Sequence, residues 1–198
     1  MKENTENVRQ TSYEINPLII NRWSPRSMTS EEILEKDLMS LFEAARWAPS
    51  EFNNQPWRFI YAKRNTPEWN KLFNLMVEFN RLWTKNAAVL VVVISRKKSE
   101  YKEADYFTHA FDTGAAWENL ALEAVSKGYV THAMAGFDRN KARIDLNIPE
   151  VFEIMAMIAI GKQDSKEKLP KELQEREFPS DRKPLSEIIM KGEFKENE

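Results

Sequence analysis

A short basic motif near residue 22 carries the first side chains with evident binding chemistry. Arg22, Ser24 and Arg26 place two guanidinium groups and one hydroxyl within five residues. Arginine stays charged and its planar fork matches phosphate oxygens, so this spacing could hold a dianionic phosphate. Taken alone, a solvated basic loop is the simpler interpretation, because short basic clusters are common.

A second motif, residues 49–55, is a loop dense in amides. Prolines bracket it, and it contains Ser50, Asn53 and Gln55. Because amides both donate and accept hydrogen bonds, such a loop could bind the polar edge of a heteroaromatic ring. The alternative is a loop whose polar side chains bond only to its own backbone.

Most sequence signatures of catalysis are missing from this chain. It has no cysteine, which excludes thiol nucleophiles, disulfides and thiolate metal sites. It has no GxGxxG, GxxxxGK[ST], GxSxG or HExxH motif. Its five glycines leave little material for a phosphate-binding loop, so side chains would have to hold any phosphate. His109 and His132 have no neighbouring ligand pattern, and we expect no metal site.

Composition indicates one water-soluble domain. The chain has 198 residues, of which 42% are hydrophobic, enough to bury a core without disulfides. A net charge of -2 gives no general attraction to nucleic acid or to anionic membranes. The apolar run 87–94 is too short to cross a bilayer, and the first residues lack a secretory signal, so we expect a cytoplasmic protein. We expect one domain over 14–190, between a polar extension at 1–13 and a polar tail at 191–198.

The hydrophobic pattern predicts interspersed helices and strands, which is typical of an α+β or α/β layer fold. Helices are predicted from a Thr29 or Ser30 cap to residue 45, over 67–79, over 104–127 and after an Asp138 cap. Strands are predicted at 57–62, 88–95, 129–133 and 152–160. The run 88–95 is rich in β-branched residues, as in a strand buried on both faces. The charged stretch 162–177 is expected to be exposed or mobile.

The segment 112–124 has the features of a packing helix. Gly114, Ala115 and Ala121 would allow another helix to approach closely, while Asp112 and Asn119 are polar within an otherwise apolar face. By itself this pattern indicates a core helix or a helix that packs against another subunit.

Taken together and in this order, the motifs resemble the nitroreductase family of flavin mononucleotide (FMN) enzymes. The matching stretches are RWSPR at 22–26, AARWAPSEFNNQPWRFIYA at 44–62, AVLVVV at 88–93, DTGAAWENLALEA at 112–124 and AMIAIGK at 156–162. The resemblance implies an α+β fold, a three-layer α/β/α sandwich with a central, mainly antiparallel sheet. It also implies an intertwined homodimer that binds one FMN in each of two clefts at the subunit interface.

The resemblance further implies which residues bind FMN. The basic motif would bind the phosphate with help from a basic pair near the C-terminus, and the amide loop would reach the flavin ring from the other subunit. A helical asparagine and a Met-Ala-Gly turn would contact the ring, and no side chain would act as a nucleophile. The implied residues are Arg22, Trp23, Ser24, Arg26, Pro49, Ser50, Asn53, Gln55, Asn80, Ala135, Gly136, Arg182 and Lys183.

Two departures from the family pattern leave the substrate open. Trp23 replaces a commonly basic residue, which could weaken phosphate binding or add stacking. Glu51 stands where a small hydroxyl residue is frequent, and its carboxylate could disfavour anionic substrates. Glu51, Phe52 and Trp83 are the candidates for lining the substrate cleft.

The implied activity transfers electrons from NADH or NADPH, through FMN, to nitroaromatics, quinones or similar flat acceptors. One cleft shared by both substrates predicts ping-pong kinetics, with the chemistry carried by the cofactor. Two alternatives stay open. The chain could store or sense flavin without efficient turnover, or it could perform a specialised family reaction such as reductive dehalogenation or flavin fragmentation.

Overall fold

The structure, a computed structural model, describes residues 9–101 and 104–195. Most of the predicted extension 1–13 and the end of the predicted tail 191–198 therefore lie outside the described residues. The helices are α1 (Pro17–Asn21), α2 (Glu35–Arg46), α3 (Trp69–Phe73), α4 (Glu78–Thr84), α5 (His109–Ser126), α6 (Arg139–Asp145) and α7 (Lys171–Gln174). The strands are β1 (Trp57–Lys63), β2 (Val89–Arg96), β3 (Val130–Met134) and β4 (Phe152–Gly161). Short 3₁₀ turns lie at Glu51–Asn53, Lys166–Lys168 and Leu185–Glu187.

The four strands form one antiparallel sheet in the order β1-β2-β4-β3. The central strand β2 pairs with β1 on one side and β4 on the other, so that Val91 lies between Tyr61 and Ile158. It is buried from Val89 through Ser95, as predicted for its β-branched run. Between Val93 and Ile94 the register with β4 shifts by one residue.

Alternate residues of β2 pack into two cores on opposite faces of the sheet, as the pleat requires. Val89, Val91 and Val93 pack with the buried leucines of α2 and α5. Leu90 and Val92 pack with residues of α3, α4 and α7. Helices therefore cover both faces, and the predicted three-layer α+β sandwich is confirmed.

The first long helix begins later than predicted. Neither Thr29 nor Ser30 caps it; α2 begins at Glu35 after Leu34. The chain at Met28 forms a β-bridge with Gln163, and the backbone N–H of Thr29 donates to the carbonyl of Lys162. The segment before α2 is therefore held extended by a distant part of the chain.

Two other predicted helices are shorter than expected. The stretch 67–79 divides into α3 and α4, because Met76 forms a β-bridge with Phe137 and Val77 N–H donates to Gly136. The predicted helix 104–127 begins only at His109. The chain before it is held extended by a β-bridge between Lys98 and Asp105.

The prediction that residues 162–177 are exposed holds for most of the segment but is wrong for Leu169, Leu173 and Glu177, which are buried. Leu169 and Leu173 belong to the core beneath β2, and Leu173 is completely buried. Most charges of this segment lie on its outer side, while two leucines spaced four residues apart and the carboxylate of Glu177 are buried on the inner side. Within the part of the chain that the structure describes, no helix is long and apolar enough to cross a membrane.

Candidate functional site

Five arginines line one cavity of about 320 Å³, which we call the arginine pocket. Arg22 and Arg26 come from the basic motif, Arg182 from the C-terminal segment, and Arg9 and Arg176 from positions that the sequence did not single out. The remaining lining residues are Trp23, Ser24, His132, Phe178 and Ser180. The structure thus brings together Arg22, Trp23, Ser24, Arg26 and Arg182 of the predicted phosphate site.

Lys183 is the predicted phosphate-binding residue that does not line the pocket. Its side chain is 76% exposed and its Nζ lies 3.4 Å from Glu187 Oε2, one helical turn further along the chain. Arg182 and Lys183 are adjacent in an irregular segment, so their side chains point in different directions.

Two glutamates fix the arginines of the basic motif. Arg22 Nε lies 3.5 Å from Glu118 Oε1 in α5, and Arg22 Nη1 donates to Ser24 Oγ at 3.4 Å. The buried Glu177 accepts the backbone N–H groups of Arg26 and Ser27 at 2.7 and 2.8 Å on Oε1. Its Oε2 lies 3.7 Å from Arg26 Nη1. Side chains held in this way do not have to be ordered again when an anion binds.

A neutral histidine forms one wall of the arginine pocket. His132 Nδ1 donates to the carbonyl of Pro25 at 3.1 Å, and its ring packs against Trp83 with centroids 4.6 Å apart. The pKa of His132 is lowered to about 4, mainly by burial; the hydrogen bond to the Pro25 carbonyl opposes this shift, and the nearby charge of Arg26 adds to it. The histidine therefore supplies no charge to the pocket at neutral pH.

The amide loop, residues 49–55, has a backbone that is unusual for its residue types. Phe52, Asn53 and Gln55 have φ of 49°, 56° and 49°, in the left-handed region that favours glycine. Ser50 Oγ accepts the N–H of Gln55 at 3.0 Å, and Gln55 Nε2 donates to the carbonyl of Asn53 at 3.0 Å. Backbone strain of this kind accumulates at ligand-binding segments, where the surroundings must hold it.

A hydrogen-bonded cluster at the start of α5 holds the amide loop. The buried Asp112 carboxylate accepts the backbone N–H of Glu51 at 3.0 Å and the Tyr106 hydroxyl. Thr108 Oγ1 donates to Glu51 Oε2 at 2.8 Å. Burial, followed by its bond to Asp112, raises the pKa of Tyr106, so that its hydroxyl stays protonated as a donor.

Asn80, Ala135 and Gly136 come together where α4 meets the end of β3. Asn80 Nδ2 donates to the carbonyl of Gly136 at 2.9 Å, and Val77 N–H donates to the same oxygen at 3.1 Å. A Cβ built on Gly136 would lie 2.7 Å from Asn80 Nδ2, so only glycine allows this approach.

The arginine pocket and the Asn80–Gly136 contact lie along one strand. His132 lines the pocket and Ala135 begins the turn, three residues later. At about 3.3 Å per residue, roughly 10 Å separate them. One elongated ligand could therefore contact both places, with its anionic end among the arginines.

The three candidates for the substrate cleft lie in different surroundings. Glu51 and Phe52 line a cavity of about 440 Å³ together with Tyr101 and Tyr106, and the side chain of Phe52 is 90% exposed. Trp83 is only 2% exposed and belongs to the core beneath the sheet. Trp83 therefore does not share the cavity of Glu51 and Phe52; it lines a separate cavity of about 160 Å³ beside Arg26.

At Phe111 and Gly114, one face of α5 is apolar and is not covered by any described part of the chain. Phe111 is 80% exposed, and a Cβ built on Gly114 would have no atom of the described residues within 4 Å. Glu118, the partner of Arg22, follows on the same face at the spacing i, i+3, i+7. The apolar face therefore leads directly to the arginine pocket.

The positions of Asp112 and Glu118 on α5 show how the amide loop and the arginine pocket are placed relative to each other. They are six residues apart in α5, which is about 9 Å along the axis and about 120° around it. The amide loop and the arginine pocket thus approach α5 of this chain from different sides.

Sequence reasoning missed several residues of these clusters. Arg9 and Arg176 belong to no recognisable motif. Glu177 lies in a highly charged segment in which nothing distinguishes one acid from the others. Asp112 was noticed only as a polar residue in an apolar helix face. No three His, Asp or Glu side chains cluster for a metal among residues 9–101 and 104–195.

Comparisons with known proteins point to one family. Residues 19–162 match the model described as "Nitroreductase family". A crystal structure described as an oxidoreductase containing FMN superposes with a TM-score of 0.93 at 41% identity, covering 96% of this chain and 98% of that one. A nitroreductase-fold protein from Desulfovibrio desulfuricans, solved in complex with FMN, has a TM-score of 0.71 at 24% identity and covers 92% and 100%.

Several curated relatives are named for an activity, and one of them illustrates the similarity. A protein of Archaeoglobus fulgidus, named provisionally as an NADH dehydrogenase/NAD(P)H nitroreductase, is 28% identical over 148 residues. The match covers 73% of this chain and 82% of that protein.

Proposed function

Because the chain belongs to the nitroreductase family, we propose that it is an FMN-dependent oxidoreductase. It takes electrons from NADH or NADPH and passes them to a nitroaromatic, a quinone or a similar flat acceptor. The observation that carries this proposal is the arginine pocket, where Arg22, Ser24 and Arg26 converge with Arg182. The FMN-containing structure that resembles this chain along nearly its whole length supports it.

The donors of the arginine pocket suit a dianionic phosphate. Arg22, Arg26 and Arg182 supply permanent charge in fork geometry, and the Ser24 hydroxyl adds a donor. No acid is among the described residues that line the pocket. Charge-assisted bonds of this type contribute about 1.5–3 kcal/mol each.

The remaining residues would position the flavin ring. FMN, when bound, would accept hydride from the nicotinamide and deliver electrons to the acceptor. Asn80 and the backbone at Ala135 and Gly136 supply donors and acceptors to the polar edge of a ring. Asn53 is exposed, and its side-chain amide has no hydrogen-bond partner among the described residues. It is therefore free to bind the opposite face of the flavin ring. Asn80 is our candidate for stabilising negative charge on the reduced ring, because Arg26 lies in the arginine pocket with the proposed phosphate.

The complete site would be formed by two copies of the chain. The amide loop and the arginine pocket of one protomer approach α5 from different sides, so they do not face each other. The exposed apolar face at Phe111 and Gly114 ends beside the arginine pocket. A second copy packed on this face would bring its own amide loop toward that pocket, and large exposed aromatic patches commonly mark interfaces.

Glu51 would favour uncharged acceptors over anionic ones. Its carboxylate lines the cavity beside Phe52, where it accepts the Thr108 hydroxyl. Like charges repel across a few ångströms, so an anionic acceptor would bind more weakly than an uncharged ring of the same shape.

The test begins with the visible spectrum of the purified protein and the titration of apoprotein with FMN. Arg22→Ala/Arg26→Ala is expected to weaken FMN binding at least about 100-fold, because it removes two charge-assisted contacts. Arg46→Ala/Lys191→Ala makes the same change in net charge outside the pocket and is expected to bind FMN normally. Unchanged FMN retention in the double pocket variant would refute the phosphate assignment.

Anaerobic addition of NADH or NADPH then separates the reductase from a storage or sensor protein. Rapid bleaching of a yellow protein supports the proposed activity. A yellow protein that does not bleach with either nicotinamide identifies a flavin binder without turnover.

The dimer is tested with Phe111→Glu and light scattering. We expect this variant to be monomeric and to bind FMN poorly, because it places a charge in the apolar face. Ile144→Glu is the matched control, since Ile144 is 74% exposed on α6, a different helix. A dimeric Phe111→Glu protein would contradict the interface.

A further inference from the structure

Arg9 connects three separate parts of the chain. Its Nη1 donates to the carbonyls of Ile20 and Arg22 at 2.9 and 2.7 Å, and its Nε donates to the carbonyl of Ser180 at 2.9 Å. Arg9 lies before, and Ser180 after, the residues 19–162 that match the family model. The predicted loose start of the chain is therefore fixed at its first described residue.

The carbonyls that Arg9 binds belong to the segments that carry the pocket arginines. One is the carbonyl of Arg22 itself. Another is that of Ser180, which also accepts Arg182 Nη1 at 3.1 Å. Arg9 and Arg182 thus share one acceptor, and the position of the C-terminal segment depends on both.

The charges around Arg9 repel one another unless an anion is present. Arg9 lines the same cavity as Arg22 and Arg182. Burial lowers the pKa of Arg9, as do the charges of Arg182 and Arg22, while Asp181 raises it. The guanidinium nevertheless stays protonated, because the ordinary pKa of arginine is far above neutrality. Carbonyl dipoles hold the cations close together, and a bound dianion would offset their repulsion.

We propose that Arg9 is a positioning residue for the phosphate of the flavin, acting through Arg22 and Arg182. It fixes the two segments that carry these arginines, so that the pocket is already formed before the anion binds. This inference rests on the proposed function, since it takes FMN as the ligand. It predicts that Arg9 matters for FMN and not for riboflavin, which has the same ring system without the phosphate.

The experiment measures the affinities of FMN and riboflavin for apoprotein by flavin fluorescence. Arg9→Ala is expected to weaken FMN binding about tenfold or more, through the loss of preorganisation, and to change riboflavin binding less than about twofold. Arg9→Lys is expected to behave like Arg9→Ala, because one ammonium cannot reproduce the fork that spans three carbonyls. Normal FMN binding by either variant, or an equal loss for both flavins, would overturn the inference.

A mutant cycle distinguishes positioning from direct contact. If Arg9 acts through Arg22 and Arg182, adding Arg9→Ala to the Arg22→Ala/Arg182→Ala variant causes little further loss of FMN affinity. A further loss as large as the one that Arg9→Ala causes in the wild-type protein would show that Arg9 acts independently of both arginines and would overturn the inference. Amide hydrogen exchange of residues 178–184 in the apoprotein provides a readout that needs no flavin. Faster exchange in Arg9→Ala supports the inference and unchanged exchange contradicts it.

Arg22→Ala/Arg26→Ala is measured in parallel. If that variant keeps its FMN affinity, the proposed function fails. If it loses FMN while Arg9→Ala does not, only the role of Arg9 fails.

Discussion

The backbone N–H of Glu51 donates to Asp112 Oδ2 across 3.0 Å, although the two residues are 61 positions apart. This bond joins the amide loop to the first turns of α5. Because the loop backbone at Phe52 and Asn53 is left-handed, it needs such an external anchor. The carboxylate of Asp112 also orients the Tyr106 hydroxyl, so one acid organises this side of the site.

Asp112→Ala is expected to lower the free energy of unfolding by about 2–3 kcal/mol, since it leaves buried donors without an acceptor. Urea denaturation measures the loss. Asp105→Ala is the control: its side chain is 65% exposed and pairs with Lys98 at the surface, so less than about 1 kcal/mol is expected. Equal losses in the two variants would contradict an anchoring role for Asp112.

Replacing Phe52 with a residue that tolerates a left-handed backbone conformation should stabilise the protein. Its φ is 49°, and its ring is 90% exposed, so little packing is lost on substitution. Phe52→Asn is expected to raise the free energy of unfolding by about 0.5–1 kcal/mol, because asparagine adopts left-handed φ more readily. The KM of an uncharged aromatic acceptor should rise in the same variant, since the ring lines the proposed cleft.

Phe107→Asn is the matched control for that experiment. Phe107 is also 90% exposed but does not have a positive φ. It should show no gain in stability. A comparable gain in both variants would mean that loss of an exposed aromatic ring, rather than release of backbone strain, is the cause.

The parts of the fold that sequence predicted well are those decided by local pattern. The β-branched run of β2 could hardly be anything but a strand buried on both faces. Asp138 caps α6 as expected, accepting the N–H of Lys141. The start of α2 was wrong because Thr29 pairs with Lys162, a contact that no local propensity encodes.

The same distinction holds for the candidate site. Arg22, Ser24 and Arg26 lie in one loop and line one cavity, but their spacing alone left a solvated loop as the simpler interpretation, and the family resemblance was needed to predict a shared site. Arg9 reaches Ser180 across 171 positions, and Glu177 reaches Arg26 across 151. Such contacts depend on where tertiary packing brings the ends of the chain.

His132 should make the stability of the protein depend on pH. Its pKa is about 4 in the folded protein, mainly because of burial, against an ordinary value near 6.5. A depressed pKa contributes stability that is present above pH 6.5 and is lost as the pH falls toward 4. At 1.36 kcal/mol per pKa unit, the loss is about 3 kcal/mol.

His132→Asn isolates this contribution from the titration of acids, and its amide can still donate to Pro25. Unfolding free energies are compared at pH 7 and pH 4 by urea denaturation. The wild-type protein is expected to lose about 3 kcal/mol more than the variant. His109→Asn is the comparison, because it leaves the contribution of His132 in place. Parallel pH profiles for the wild type and His132→Asn would contradict the assignment.

Gly136→Ala tests the contact between the Ala135–Gly136 turn and Asn80. The added Cβ would lie 2.7 Å from Asn80 Nδ2 and 3.1 Å from Val77 Cγ2, so the amide must move. We expect a loss of about 1–3 kcal/mol in stability and weaker binding of FMN and riboflavin alike, since the ring and not the phosphate is affected. Gly161→Ala is the control, because its Cβ would meet the flexible end of Met28 at 3.2 Å, in the core and away from the proposed site. Gly136→Ala/Asn80→Ala should recover stability by removing the clash, but not flavin affinity. Normal binding of both flavins by Gly136→Ala would show that Asn80 does not contact the ring.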